Sequence, residues 1–118
     1  MDKEKLKLRT KQFAFRVIKL TEALPQKQSG LVIGKQLIRS GTSVGANYRS
    51  ACYGRSKAEF IAKMGIALEE ADESAYWMEL IIEAELLSKN QVESLLKEAN
   101  ELAAILYASI KTARKNKA

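Results

Sequence analysis

Apolar residues recur every three or four positions through most of this chain, which is the spacing of an amphipathic α-helix. The first such series ends just before the single proline, Pro25, which disfavours helical geometry at the residue that precedes it. The pattern therefore predicts a first helix over about residues 3–24. Its apolar stripe comprises Leu6, Phe13, Val17, Leu20 and Leu24.

The second segment, residues 30–54, combines an apolar helical series with the glycine-rich stretch SGTSVGAN at positions 40–47. Since glycine costs about 1 kcal/mol relative to alanine in a helix, one interpretation places a loop near residue 41. The other is one continuous helix, in which the glycines allow another backbone to approach closely. Spacing favours the continuous helix, because the apolar seam stays in phase across the glycines. That seam comprises Leu37, Gly41, Val44, Tyr48 and Ala51.

Two further helices are predicted in the second half, and each begins at a capping pattern. Ser56 and Glu59 have capping-box spacing and predict a third helix over about residues 57–88. Asn90 and Glu93 repeat the pattern and predict a fourth helix over about residues 91–114. No stretch alternates with the period of two that a strand requires. Because short turns make sequential helices antiparallel, we expect one all-α domain over residues 1–118, an up-down-up-down four-helix bundle.

Catalytic chemistry has little support in the composition. The chain has no histidine and one cysteine, Cys52, which excludes Ser–His and Cys–His pairs and any histidine-based metal site. A carboxylate metal cage needs ligands from facing helices, whereas most acids here lie on the predicted third helix. We expect a buried, unreactive thiol at Cys52, no catalytic residue, no metal and no cofactor.

Hydropathy argues against a membrane partner. No apolar run approaches the roughly 18 residues that a membrane helix needs. The first residues, MDKEKLKLRTK, are too charged for a signal peptide. We therefore expect a cytoplasmic protein.

Charge is strongly segregated along the chain. Residues 23–58 carry six basic residues and no acid, whereas residues 59–88 carry eight acids and one lysine. In one interpretation the acids are ion-pair partners for basic residues, with Arg49 or Arg55 pairing with the third helix. The other is a positive surface that attracts nucleic-acid phosphate, to which the basic N-terminus adds charge. The candidate nucleic-acid-binding residues are Lys35, Arg39, Arg49, Arg55 and Lys57.

The third helix has more apolar surface than one core requires. Adjacent positions diverge by about 100° on a helix, so Tyr76 and Trp77 cannot both point into the same core. Leu80 and Ile81 also fall outside the stripe of Ile61, Leu68, Ala75 and Ile82. A surplus apolar face is typical of a subunit interface. The candidate interface residues are Tyr76, Trp77, Leu80 and Ile81.

Three blocks of sequence carry a family resemblance: FAFRVIKL at 13–20, KQLIRSGTSVGANYRSA at 35–51 and SKAEFIAKMGIALEEADESAYWMELI at 56–81. They resemble bacterial four-helix-bundle proteins encoded in intervening sequences of large-subunit ribosomal RNA genes. This resemblance implies a homo-oligomer, a five-fold ring, without assigned catalytic residues. The fold is also similar to the accessory protein of diversity-generating retroelements, a basic pentamer that partners a reverse transcriptase and nucleic acid.

The leading hypothesis is therefore a non-enzymatic oligomeric bundle that binds RNA or a nucleic-acid enzyme. The alternative is a protein-interaction scaffold in which the segregated charges serve self-assembly.

Overall fold

The structure is a computed structural model that describes residues 1–116, and these residues form four α-helices joined by short turns. The described part of the chain contains no strand, so the predicted all-α four-helix bundle is confirmed. The helices are α1 (Lys3–Glu22), α2 (Gln28–Cys52), α3 (Lys57–Glu83) and α4 (Lys89–Lys115).

The glycine-rich α2 is one unbroken helix, as its apolar phase predicts. Small residues on α2 face α1, and a Cβ atom at Gly41 would lie 2.8 Å from both methyl carbons of Val17. At Gly45 the corresponding atom would lie 3.1 Å from the Thr10 hydroxyl oxygen. Glycine is therefore required at Gly41 because α1 packs directly against the α2 backbone.

The capping predictions have mixed outcomes. The Ser56 hydroxyl accepts a hydrogen bond from the Glu59 amide at 3.1 Å and begins α3 as predicted, but the Glu59 carboxylate accepts no return bond from the Ser56 amide in the described residues. The prediction for α4 is wrong, because its N-cap is Ser88 and the complete capping box pairs Ser88 with Gln91. Asn90 lies within the first turn of α4 and caps nothing there.

The end of α3 also differs from the prediction, since the helix stops at Glu83 rather than near residue 88. Glu85 has a φ of 55°, the left-handed geometry that glycine usually supplies at a helix end. The Leu86 amide then donates to the Ile81 carbonyl at 2.9 Å, which is the closing bond of a Schellman motif. With no glycine or proline there, the sequence carried no visible stop signal.

The four helices occupy the corners of an elongated bundle of about 50 × 20 × 20 Å. Among the described residues α2 packs against α1 and α3, α4 packs against α3, and α1 approaches α4 only sparsely. α1 and α3 are therefore diagonal to each other. The largest fully buried side chains lie along the bundle axis: Phe13, Leu37, Met64, Met78, Ile81, Leu102 and Leu106.

Ile81 corrects the predicted interface. Its side chain is fully buried in the core, so it lies on no surface that another copy could contact. The i, i+7 stripe misled the prediction because an α-helix drifts by about 20° per heptad relative to that repeat. The buried seam of α3 instead follows spacings of three and four residues: Met64, Ala67, Ala71, Ser74, Met78 and Ile81.

Candidate functional site

The outer face of α2 gathers three of the five predicted nucleic-acid-binding residues. At about 100° per residue, Arg39 and Arg49 fall about 40° to either side of Lys35. All three side chains are exposed, and they extend over roughly 21 Å of helix at about 1.5 Å per residue. The sequence therefore folds so that these charges share one surface, which we call the basic face.

Arg39 is compensated by acids of α3. Its guanidinium lies 3.2 Å from a carboxylate oxygen of Glu70, and its Nη2 also donates to Glu73. Glu73 in turn accepts a hydrogen bond from the Trp77 indole nitrogen at 2.9 Å. Arg39 thus links α2 to α3, and its positive charge is largely compensated by Glu70 and Glu73.

Lys35, Arg49 and Arg55 differ from Arg39, because none of them has a carboxylate within 4.0 Å in residues 1–116. Arg49 lies near the C-terminal end of α2, and Arg55 follows in the turn before α3. Pairing with the third helix, left open by the sequence, therefore applies to Arg39 and to neither Arg49 nor Arg55. These three charges are available to an external anion.

Lys57 does not belong to the same surface. It begins α3, and its Nζ donates to the backbone carbonyl of Asn116 at the end of α4. This contact satisfies a C-terminal carbonyl of α4 with a positive charge, which favours the helix dipole. A structural role at the end of the bundle accounts for Lys57.

A basic residue outside the predicted set, Lys11, lies beside the basic face. Lys11 on α1 and Arg49 on α2 line the same hollow of about 160 Å³, whose floor includes Gly45. In the sequence Lys11 belongs to the basic N-terminus, and no local signal places it near Arg49. The antiparallel packing of α1 on the glycines of α2 is what brings the two charges together.

The outer face of α3 has the opposite character. Glu69, Asp72, Glu79 and Glu83 are exposed there, and none forms an ion pair within the described residues. Tyr76 lies among them with 52% of its surface exposed, so it is the ring that leaves the core. We call this surface the acidic face.

The other predicted interface residues are less accessible than Tyr76. Trp77 is half-buried and packs against the core, with its ring edge-on to Tyr76 at 5.1 Å between centroids. Leu80 is half-buried and lies on the same side of α3 as Tyr76, one turn further along. Tyr76 and Leu80 therefore remain the candidates for contact with another molecule.

Residues 1–116 carry neither a metal-binding cluster nor a membrane span. No group of three or more acidic or cysteine side chains there is close enough to hold a metal ion. None of the described helices is both long and apolar enough to cross a membrane. The surface hollows are open to solvent, and one of about 510 Å³ is lined by Phe60 and Ile105.

Comparison with known proteins supports the resemblance seen in the sequence. A crystal structure of a protein of unknown function from the S23 ribosomal protein family of Bacteroides thetaiotaomicron is 42% identical to this chain. The match covers 90% of this chain and 98% of that one, with a TM-score of 0.84. No curated protein matches. The model of the family described as 23S rRNA-intervening sequence protein matches residues 4–108, and neither comparison indicates a catalytic family. The chain therefore belongs to the 23S rRNA-intervening sequence protein family.

Proposed function

We propose that this protein is a non-enzymatic, oligomeric bundle that binds structured RNA through the basic face of α2 and the adjoining residues. One observation carries the proposal: Lys35, Arg49 and Arg55 are free of carboxylate partners within residues 1–116, although α3 places many acids on a neighbouring helix. Charges that serve only to pair helices would follow the pattern of Arg39. Uncompensated basic side chains at the surface are what phosphate binding requires.

The distribution of charge gives the binding surface a direction. The basic face lies on α2, whereas the acidic face lies on α3 and repels phosphate. RNA would therefore approach the α2 side of the bundle. The description of the family, which ties it to intervening sequences of 23S rRNA, is consistent with an RNA partner.

Few charges on one copy give weak binding, and oligomerisation would supply the missing affinity. The family resemblance implies a five-fold ring, in which five basic faces contact one RNA. Linked sites raise the overall affinity without any single tight site, because each later contact is intramolecular. The proposed function therefore includes a homo-oligomer, with a pentamer as the expected size.

The salt dependence of RNA binding tests the proposal directly. Fluorescence anisotropy with a labelled structured RNA should show affinity falling steeply between low and high salt, because phosphate contacts release counterions. Replacing Arg49 and Arg55 by glutamine should weaken binding. For each copy whose basic face contacts the RNA, loss of two phosphate contacts should reduce the slope of log affinity against log salt by about 1.4–1.8.

A matched control separates the basic face from net charge. Lys89 and Lys97 on α4 are exposed and distant from α2 in sequence, so replacing both by glutamine removes the same charge elsewhere. We expect this control to retain most of the affinity. Equal losses in the two double variants, or no retention of RNA at low salt, would refute the basic face as the RNA site.

The alternative is a protein-interaction scaffold without an RNA role. The segregation of free basic charge on α2 and free acidic charge on α3 favours it, because opposite faces can also recognise each other. The Arg49→Gln, Arg55→Gln variant distinguishes the two functions. Loss of RNA binding with the oligomer intact supports RNA binding, and loss of the oligomer without an RNA effect supports the scaffold.

A further inference from the structure

We infer that copies of this chain associate head to tail, with the acidic face of α3 in one copy against the outer face of α1 in the next. This inference rests on the oligomer in the proposed function and names the surfaces that form it. It is independent of whether the oligomer binds RNA.

The outer face of α1 carries large apolar side chains that the bundle leaves uncovered. Phe15 is 60% exposed, Leu8 is 57% exposed, and their spacing of seven residues puts them on the same side of the helix. With Lys11 between them they border one open hollow of about 500 Å³. The Lys19 ammonium lies 5.5 Å from the centre of the Phe15 ring. This face of α1 is therefore apolar at its centre with Lys11 and Lys19 beside it, and Lys19 lies 3.8 Å from its ion-pair partner Glu22.

The acidic face of α3 has the complementary composition. Tyr76 is 52% exposed, half-buried Leu80 lies one turn further along on the same side, and Ile66 is 41% exposed nearer the start of the helix. The acids of this face have no ion-pair partner within residues 1–116: Glu69, Asp72, Glu79 and Glu83. This face therefore combines exposed apolar side chains with unpaired acids.

Charge decides which pair of faces meets. Contact between two α1 faces would bring Lys11 and Lys19 against the same lysines of the second copy. Contact between two α3 faces would oppose carboxylates in the same way. Such like-charge contacts cost several kcal/mol, so they oppose the formation of a specific interface. Among the pairings of these two faces, only that of α1 with α3 buries apolar surface on both sides and opposes charges of unlike sign.

The positions of the two faces allow each copy to contact two other copies. α1 and α3 are diagonal in the bundle, so one copy can use both faces at once. A contact between two different surfaces is heterologous and produces a ring where the rotation closes. The long side of the bundle measures 50 × 20 Å, which has room for the roughly 800 Å² that each partner buries in a stable interface.

Two double variants test the inference by light scattering coupled to size exclusion. Leu8→Gln with Phe15→Gln removes the apolar centre of the α1 face, and Ile66→Gln with Tyr76→Gln removes that of the α3 face. We expect the unmodified protein to be an oligomer and each double variant alone to be a monomer. An equimolar mixture of the two variants should form a dimer of one copy of each, because one intact α3 face and one intact α1 face remain.

A matched control and a folding check accompany these variants. Val32 on α2 and Tyr107 on α4 are each 55% exposed and lie outside both proposed faces. Val32→Gln with Tyr107→Gln therefore removes one aliphatic and one aromatic side chain without changing either face. This control should keep the mass of the unmodified protein. Thermal melts by circular dichroism should show all variants folded, since every replaced side chain is exposed.

Several results would overturn the inference. If the unmodified protein is a monomer, the proposed oligomer is refuted, whatever the RNA affinity. If either double variant keeps the oligomer mass, or if the mixture of variants stays monomeric, only the assignment of the two faces is refuted. Binding of anionic lipid vesicles that is lost with Phe15→Gln, while the oligomer mass is unchanged, would assign the α1 face to a lipid surface instead. RNA anisotropy on the same samples reports separately on the proposed function.

Discussion

α1 contacts its two neighbouring helices by different physical means, and the contrast shows that a close contact between helices requires no polar interaction. Against α2 it packs on glycines, so that Val17 occupies the space where a Gly41 side chain would be. Against α4 it is held by long polar side chains. Arg9 forms two hydrogen bonds of 2.7 Å to the carboxylate of Glu98, and Arg16 reaches Ser94 at 3.0 Å.

The difference separates shape from charge. The α1–α2 contact depends on atoms that are absent, because any side chain at Gly41 would push the helices apart. The α1–α4 contact depends on groups that are present, because removing Arg9 leaves a partly buried carboxylate unpaired. The first contact should therefore be sensitive to volume and the second to charge.

Adding one methyl group to the α1–α2 contact should have the largest effect. In Gly41→Ala the new Cβ would lie 2.8 Å from two carbons of Val17, which is fully buried and too stiff to move aside. Overpacking costs about 1–3 kcal/mol, and the better helix propensity of alanine returns about 1 kcal/mol. We expect a net loss of up to about 2 kcal/mol in the free energy of unfolding, measured by urea denaturation.

Gly65 on α3 provides the matched control for this substitution. A Cβ there would meet nothing within 4 Å among the described residues, so Gly65→Ala gains helix propensity without a clash. It should stabilise the protein by about 0.5–1 kcal/mol. If Gly41→Ala stabilises the protein equally, α1 does not pack directly against the α2 backbone at Gly41.

Removing the charge pair between α1 and α4 should have the next largest effect. Arg9 and Glu98 are 26% and 16% exposed at their side chains, so their paired hydrogen bonds are partly shielded from water. Glu98 also holds the pKa of Arg9 above its usual value, chiefly by accepting these bonds. Arg9→Gln should lower the free energy of unfolding by about 1–2 kcal/mol.

The exposed pair of Lys19 and Glu22 offers a comparison within α1. Both side chains are more than 60% exposed and 3.8 Å apart, so Lys19→Gln should cost less than about 0.5 kcal/mol. A double-mutant cycle between Arg9 and Glu98 measures the coupling. A coupling near zero would mean that charge does not hold α1 to α4.

Raising the pH should change the free energy of unfolding least, and the change should arise from Tyr48 on α2. Tyr48 is 6% exposed, and burial raises the pKa of its phenol well above the ordinary value of 10.0. Its contribution is therefore fully present below about pH 10 and is lost as the pH rises further, because only the unfolded state then loses the proton. Tyr48→Phe should flatten this part of the stability profile, as measured by denaturation from pH 8 to 11. The same slope in both proteins would contradict the assignment to Tyr48.

Most of the fold could be predicted from the sequence, because helix periodicity survives in the choice of apolar residues. The in-phase seam across Gly41 correctly predicts the continuous α2. Two boundaries could not be predicted. Glu85 adopts left-handed backbone geometry although it is not a glycine, and Ser88 rather than the predicted Asn90 is the N-cap of α4. Both depend on how the α3–α4 turn closes, which local sequence does not encode.

The candidate site was only partly visible in the sequence. Helix spacing places Lys35 and Arg49 on one face, and this needs no structure. The compensation of Arg39 requires Glu70 and Glu73, which lie more than thirty residues away. The same holds for Lys11 beside Arg49, since their proximity arises from the packing of α1 on α2. Charge counts along a chain cannot distinguish a paired arginine from a free one.

Four amphipathic helices and the division of charge between α2 and α3 follow from the order of residues along the chain. Those properties are local, because periodicity and composition act through neighbours three or four residues apart. Packing of the helices instead sets which charges cancel and which stay free, and it makes Ile81 core and Tyr76 surface. These outcomes depend on distances between helices, and such distances are fixed by packing rather than by order along the chain.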